Sequence, residues 1–345
     1  MLKSYWLVLN FNCNNRCAGC YNGNISCQDQ SEMELSYARQ IIQSMSKIGA
    51  RHCTLIGGEP TLYRQLKPIL EICTESKTKT VMISNGRKLK SQNFLNSLQS
   101  AGLKQIAVSI EGAIAKTHNL ITGRSSFNET ISGIKNSLAQ KMLSNTITTI
   151  SKLNQGEIFE VACLLHDLGV EDILYNLALP AISGSKIDID NVLEPSQYAE
   201  IISATYLQAK AVKIKVKFIT TIPLCLFQES LLKNMMHDKA LNIGCHMYHG
   251  QRLVFSPNGD ILPCTHYTDF PLLNARSADG NFLYHDNFLT VWEPEDSVAN
   301  KFRKKIWRYP SKNCNGCKYW SYCIGGCPLF WTSFDPRRFI GKKFA

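Results

Sequence analysis

Residues 13–20 read Cys13-Asn14-Asn15-Arg16-Cys17-Ala18-Gly19-Cys20, and they follow closely on an apolar, β-rich run, Tyr5–Asn10 (YWLVLN). Three thiols in one short loop are metal ligands by default in a reducing compartment, because the thiolate is the donor and neighbouring cysteines can grip a single centre. The trio leaves one ligand position without a local cysteine. Two metals suit that arrangement. A zinc ion would take a fourth protein ligand or a water; a four-iron cluster would leave one iron open to a small molecule. Three cysteines packed in a core are the plain alternative.

Outward from this loop, short β-rich runs alternate with helical patterns. The spacing predicts helices over Met33–Lys47 (Ile41, Ile42, Met45 and Ile48 on one face), Leu66–Thr74, Leu89–Ala101, Phe127–Gln140 and Gly156–Leu168. Gly102 and Gly169 stand where helix C-caps are expected. Strands are expected at Cys53–Ile56, Thr80–Ser84, Gln105–Ile110, Thr146–Ser151 and Asp172–Leu177. About six β–α units with short connections imply parallel strands and right-handed crossovers. The expected fold is α/β, a partial (β/α)6 TIM-like barrel with a side opening. Chemistry in such folds sits at the carboxyl ends of the strands. Those ends carry Cys13, then Gly57-Gly58-Glu59-Pro60, Ser84-Asn85-Gly86 and Ser109-Ile110-Glu111-Gly112. Singly, each of the last three could be a tight turn or a core hydroxyl. Together beside three thiolates they resemble a ligand site. Glycines let backbone approach a ligand, Glu59 could hold an ammonium, and Ser84, Asn85 and Ser109 could bond hydroxyls or a carboxylate.

A second cysteine group lies near the C-terminus: Cys245, Cys264, Cys314, Cys317, Cys323 and Cys327, nine of the chain's 14 cysteines counting the first trio. Between Cys245 and Cys264 the sequence SPNGDILPC signals a hairpin with Asn258-Gly259 at its tip. Six cysteines exceed the needs of one four-coordinate zinc, and two iron–sulfur clusters would use them. A zinc ribbon built from the last four is the structural alternative. Cys225, in the apolar run IPLCLF, reads as a core residue or as a further ligand of the Cys245 set.

The chain has 345 residues, 44% hydrophobic and 19% charged, which excludes a disordered or fibrous protein. No apolar run is long enough for a membrane span, and the N-terminus lacks a signal-peptide cleavage pattern, so we expect a cytoplasmic protein with no membrane partner. The net charge is +11, with the basic residues scattered. A solvated surface or an acidic partner explains this; nucleic acid is not expected.

The set CNNRCAGC, Tyr21, GGEP, SNG and SIEG resembles the radical S-adenosylmethionine (radical SAM) superfamily over residues 4–178. The resemblance implies that Cys13, Cys17 and Cys20 bind a [4Fe–4S] cluster whose open iron is chelated by SAM. It implies that Gly57, Gly58 and Glu59 meet the SAM amino group, that Ser84, Asn85 and Ser109 meet its ribose or carboxylate, and that Arg124 meets its carboxylate. The C-terminal group resembles the SPASM extension of that superfamily. Cys245, Cys264 and Cys327 would then serve a first auxiliary cluster, and Cys314, Cys317 and Cys323 a second. The implied organisation is a barrel over 1–215, a connector over 216–240 and an auxiliary Fe–S domain over 241–345. Two positions depart from the pattern. Gly19 stands where an aromatic residue is common, and no cysteine follows Cys327. Asp335 could supply the last ligand, or that cluster could be absent or exchangeable.

The implied activity is hydrogen abstraction by a 5′-deoxyadenosyl radical from a peptide or protein side chain, in oxidation or cross-linking. The implied partners are a precursor peptide and an electron donor such as flavodoxin or ferredoxin. The barrel starts at once, so we expect no N-terminal peptide-recognition domain, and a leader would be held by a separate recognition protein or by the barrel itself. The rival readings are a radical SAM enzyme acting on a small molecule, such as a sugar alcohol or a tetrapyrrole, and a zinc-stabilised binding protein without activity. His266 and Tyr267 are weak candidates for acid–base roles, and His118 reads as a core or surface residue.

Overall fold

The computed structural model describes residues 2–21, 31–183, 186–306 and 308–341. Cys27 lies outside the described residues. The strands are β1 (Ser4–Val8), β2 (His52–Ile56), β3 (Lys79–Ser84), β4 (Gln105–Ser109), β5 (Leu143–Ile150), β6 (Ile173–Leu177), β7 (Ala181–Ser183), β8 (Lys186–Asp188), β9 (Val216–Phe218), β10 (Arg252–Phe255), β11 (Asp260–Leu262) and β12 (Leu273–Asn274). The helices that matter here are α1 (Leu35–Lys47), α2 (Leu66–Glu75), α3 (Gln92–Ser100), α4 (Ala115–Thr122), α5 (Phe127–Ala139), α6 (Ile158–Asp167) and α7 (Pro195–Ala211). Two compact units interleave along the chain. One holds residues 1–109, 128–144 and 246–305; the other holds 110–127, 145–245 and 306–345.

In the first unit the strands pair in the order β12-β11-β10-β1-β2-β3-β4. The pairs β1–β2, β2–β3 and β3–β4 are parallel, as helical crossovers require. The predicted face of α1 is buried through Ile41, Ile42 and Met45, each worth about 1.5–3 kcal/mol of removal from water. The hairpin at Asn258-Gly259 is present as β10 and β11, with Val254 opposite Leu262 and Gly259 in the left-handed region at φ +91°. A feature not anticipated from sequence is that β10 pairs in parallel with β1, Ser4 opposite Arg252. The C-terminal hairpin therefore extends the sheet beyond its first strand. Val8, Phe11, Ile56, Val254 and Leu262 form one buried cluster around this junction.

In the second unit β5, β6 and β9 pair in parallel. Gly169 closes α6 with φ +89°, and α7 starts from a Glu194–Gln197 capping box with Pro195 in the first turn. Helix α4, directly after the SIEG stretch, was also not anticipated; its buried residues are His118, Ile121 and Thr122. Among the described residues, no helix is long and apolar enough to cross a membrane.

Candidate functional site

In the first unit the parallel strands deliver their carboxyl-terminal motifs to one rim. The chain leaving β1 runs Asn10-Phe11-Asn12-Cys13, and the turn after β2 is laced to it. Gly58 N–H donates to the Asn10 carbonyl at 2.8 Å and Glu59 N–H to the Asn12 carbonyl at 2.8 Å. The two glycines are needed for this contact. A Cβ at Gly57 would stand 2.5 Å from the Asn10 oxygen, and one at Gly58 would stand 2.4 Å from the Phe11 and Asn12 carbonyls. The close approach is therefore backbone against backbone, within the fold.

Glu59, expected to meet a ligand ammonium, is fully buried. Its Oε1 accepts from Thr61 N–H (3.1 Å), Thr61 Oγ1 (2.7 Å) and Ser84 Oγ (2.8 Å), and its Oε2 accepts from Asn85 N–H (2.8 Å). Burial pushes its pKa up against these four donors, which pull it down. In this geometry the carboxylate locks the end of β2 to the end of β3. Ser84 Oγ also accepts from Gly86 N–H at 3.0 Å, so two of the expected ligand-binding hydroxyl and carboxylate groups are spent on each other.

The cysteine loop is gripped from β3. Asn85 Nδ2 donates to Asn14 Oδ1 at 2.7 Å and lies 4.0 Å from Cys13 Sγ. Arg87 donates to the Asn14 carbonyl and, at 3.2 Å, to Asn15 Oδ1, and pairs with Glu129 on α5. Thr130 Oγ1 donates to the Asn85 carbonyl at 2.9 Å. Arg87, Glu129 and Thr130 were not singled out from sequence. The one available signal was that Arg87 directly follows the SNG turn.

Cys13 Sγ accepts from Asn15 N–H at 3.3 Å. Burial pushes the Cys13 thiol up to about 11, with Glu59 and Cys20 adding like charge and the Asn15 amide opposing. Cys17 and Cys20 are joined by a turn, Cys20 N–H to Cys17 carbonyl at 3.3 Å, with Gly19 left-handed at φ +75°. That conformation accounts for glycine where an aromatic side chain was expected. Ser109 ends β4, half-buried.

His266 and Tyr267 also belong to the first unit. The half-buried His266 ring lies 5.4 Å from the Tyr21 ring, with Nδ1 3.9 Å from Cys264 Sγ. Desolvation pushes its pKa down to about 4, which keeps it neutral. Tyr267 packs edge-on against Phe302.

In the second unit, His118 is a buried structural residue. Its Nδ1 accepts from Glu111 N–H at 3.1 Å and its Nε2 lies 3.1 Å from Ser126 Oγ. Burial pushes it down to about 4. Glu111 Oε2 accepts from Thr149 N–H, and burial pushes that carboxyl up to about 7. Arg124 is exposed and its guanidinium donates to the Gly123 carbonyl.

The second unit also contains a thiol-lined cavity. Cys225, Cys314, Cys317 and Cys323 line it, with Leu224 and Trp320 among the other walls. Cys225, expected as a core residue or a further ligand of the Cys245 set, is one of its walls. Its thiol is pushed up to about 12 by burial, and then by the neighbouring Cys323, Cys314 and Cys317. Asp335 is not a wall of this cavity; it is engaged with Arg337 at 2.7 Å and caps the turn Pro336–Arg338. Cys245 and Cys327 belong to the second unit and Cys264 to the first. Among the described residues, no three His, Cys, Asp or Glu side chains gather as tightly as a single metal ion requires.

The model of the "Radical SAM superfamily" matches residues 7–165. The AdoMet-dependent heme synthase of Methanosarcina barkeri is 27% identical, over 91% of this chain and 87% of its own length. The PqqA peptide cyclase of Rhizobium meliloti is 24% identical, over 92% of this chain and 80% of its own. The crystal structure of Streptococcus suis SuiB bound to precursor peptide SuiA superposes with a TM-score of 0.71 at 17% identity, over 97% of this chain and 74% of that one. Its likeness concerns the fold, and agrees with the α/β partial barrel expected from the β–α alternation. The parallel strands, the cysteine loop after the first of them and the matched family model lead to one conclusion: residues 7–165 of this chain form a radical SAM domain.

Proposed function

We propose that this chain is a radical SAM enzyme of the SPASM type that removes hydrogen from a peptide or protein side chain, in oxidative maturation or cross-linking of a ribosomally made peptide. The observation that carries the reading is the braced loop of Cys13, Cys17 and Cys20 at the rim of a parallel sheet, in a chain that aligns over more than nine-tenths of its length with a peptide cyclase.

The donor set suits an iron–sulfur cluster. It is all thiol, one sulfur takes a backbone N–H, and the loop is held by Asn85 and Arg87. Cys13, Cys17 and Cys20 would hold the cluster. When bound, the cluster and SAM supply one-electron cleavage of the sulfonium and a carbon radical able to take hydrogen from an unactivated C–H bond. The chain's own residues do the positioning. Glu59 fixes the β2 and β3 termini relative to each other. Gly57 and Gly58 bring the turn after β2 against the Asn10–Asn12 backbone. In this reading Ser109 meets the cofactor's polar groups. The precursor peptide, an electron donor of the flavodoxin or ferredoxin class and a separate leader-recognition protein are the partners, and the protein works in the cytoplasm, where thiols stay reduced.

A second reading rests on one specific observation, the alignment with a heme synthase over most of both chains. Its substrate would be a tetrapyrrole. The experiment that separates the two supplies anaerobic, reconstituted protein with SAM and reductant, and either the peptide encoded beside the gene or an iron tetrapyrrole. A loss of two hydrogens from the peptide by mass spectrometry is the expected result. Conversion of the tetrapyrrole alone would overturn the peptide reading and leave the radical chemistry standing.

A further inference from the structure

The cavity in the second unit draws its sulfurs from two stretches of chain about ninety residues apart. Cys314, Cys317 and Cys323 come from the C-terminal run; Cys225 comes from a short 3-10 turn, Leu224–Leu226. The two stretches are clamped together by the backbone. Leu224 N–H donates to Cys323 Sγ at 3.3 Å. Cys327 N–H donates to the Thr221 carbonyl at 2.9 Å. Gly326, at φ +82°, lies against the Pro223 ring, where a Cβ would come within 2.6 Å of Cδ. The residue before the two glycines, Ile324, is itself left-handed at φ +49°. A β-branched residue holds that conformation only where its surroundings demand it. Here three successive left-handed residues turn the chain sharply after Cys323, and Gly326 N–H donates to the Cys323 carbonyl at 2.9 Å.

We propose that Cys225 is the fourth ligand of an auxiliary [4Fe–4S] cluster held by Cys314, Cys317 and Cys323, so that this cluster is closed by four protein thiolates. The inference rests on the SPASM-type reading of the C-terminal region and adds to it the ligand that the sequence pattern lacks. Three features suit a cluster. The four residues are all thiols, with no disulfide among them. They line one cavity, as four ligands of one centre must. A backbone N–H, that of Leu224, is on the Cys323 sulfur, the kind of contact that tunes cluster potentials. Asp335 is not among the cavity's walls and is paired with Arg337. With four cysteines bound, no iron of this cluster remains open to substrate.

The test uses the full chain, prepared anaerobically, in a background carrying Cys13→Ala, Cys17→Ala and Cys20→Ala so that only auxiliary clusters report. Cys225→Ala and Cys314→Ala are each expected to lower bound iron and sulfide by about four per chain, with the double variant losing no more than either single one. Cys225→Ser is expected to keep the iron and shift the electron paramagnetic resonance of the reduced cluster, as a change of ligand does and a packing change does not. Cys163→Ala, at a half-buried cysteine elsewhere in the unit, should change nothing. Unchanged iron and spectrum in Cys225→Ala, with loss in Cys314→Ala, would overturn the proposal while leaving the enzymatic reading intact. One zinc in place of the iron, lost with Cys225, would overturn the cluster assignment. A Cys225-dependent cluster in a protein that converts no peptide would sustain this proposal and count against the function proposed above.

Discussion

The two cysteine regions are built on opposite plans. The N-terminal one takes three thiols from eight consecutive residues and surrounds them with polar groups: Asn14, Asn15, Asn85, Arg87 and the buried Glu59. The C-terminal cavity takes four thiols from two distant segments, has apolar walls such as Leu224 and Trp320, and is stapled by backbone N–H groups and glycines. A contiguous trio leaves a coordination position unfilled and needs a polar setting for whatever comes to fill it. A quartet from two segments can close on its metal and needs only exclusion of water. In the function proposed above, the first is the site for chemistry and the second a site for holding an electron.

The largest effect expected is on the first region. Replacing Cys13, Cys17 and Cys20 together by Ala should abolish 5′-deoxyadenosine formation, while the C-terminal variants Cys225→Ala and Cys314→Ala should leave reductive cleavage of SAM measurable. Equal loss in both sets would break the contrast. Next come the glycines that mark each region. Gly58→Ala sets a methyl group against two backbone carbonyls at 2.4 Å and should cost about 2–3 kcal/mol in chemical denaturation. Gly326→Ala meets a proline ring at 2.6 Å from a left-handed backbone and should cost about 1–2 kcal/mol. A reversed order would mean that the rim is the softer of the two.

Glu59→Gln keeps the shape but converts one acceptor oxygen into a donor facing donors. We expect a loss of about 1–3 kcal/mol, read as a lower midpoint in urea. The C-terminal cavity has no corresponding carboxylate, so that loss should appear without any change in auxiliary iron. The smallest effect is expected from Arg87→Ala. It removes contacts to the Asn14 carbonyl, Asn15 Oδ1 and Glu129 at a partly accessible position, worth about 1 kcal/mol. Its clearer signature is faster loss of the N-terminal iron to a chelator. An unchanged rate would show that the loop needs no brace from β3.

The parts of this molecule set by neighbours in sequence could be read directly. Apart from α4, the strands and helices from Tyr5 to Leu177 follow from local periodicity, and so do the motifs at the strand ends and the Asn258-Gly259 hairpin. The parts set by distant contacts could not. Nothing in RLVF marks β10 as a parallel partner of β1, since a short apolar strand carries no record of its neighbour. Helix α4 (AKTHNLIT) was missed because its pattern is short and weakly amphipathic. Cys225 sits in an apolar run that looks like core, and only the chain's return beside Cys323 reveals its companions. Glu59 stood out in the sequence, but its complete burial under four donors did not, because those donors come from residues 61, 84 and 85.

The central claim is that the loop Cys13–Cys20 binds a cluster open to SAM. The direct measurement is chromatography of the nucleoside products after anaerobic reconstitution with iron and sulfide and incubation with SAM and dithionite. The account predicts 5′-deoxyadenosine from the unsubstituted protein and none from the protein lacking the three cysteines. Reconstituted protein that carries iron and sulfide on those cysteines and yields no 5′-deoxyadenosine would contradict it.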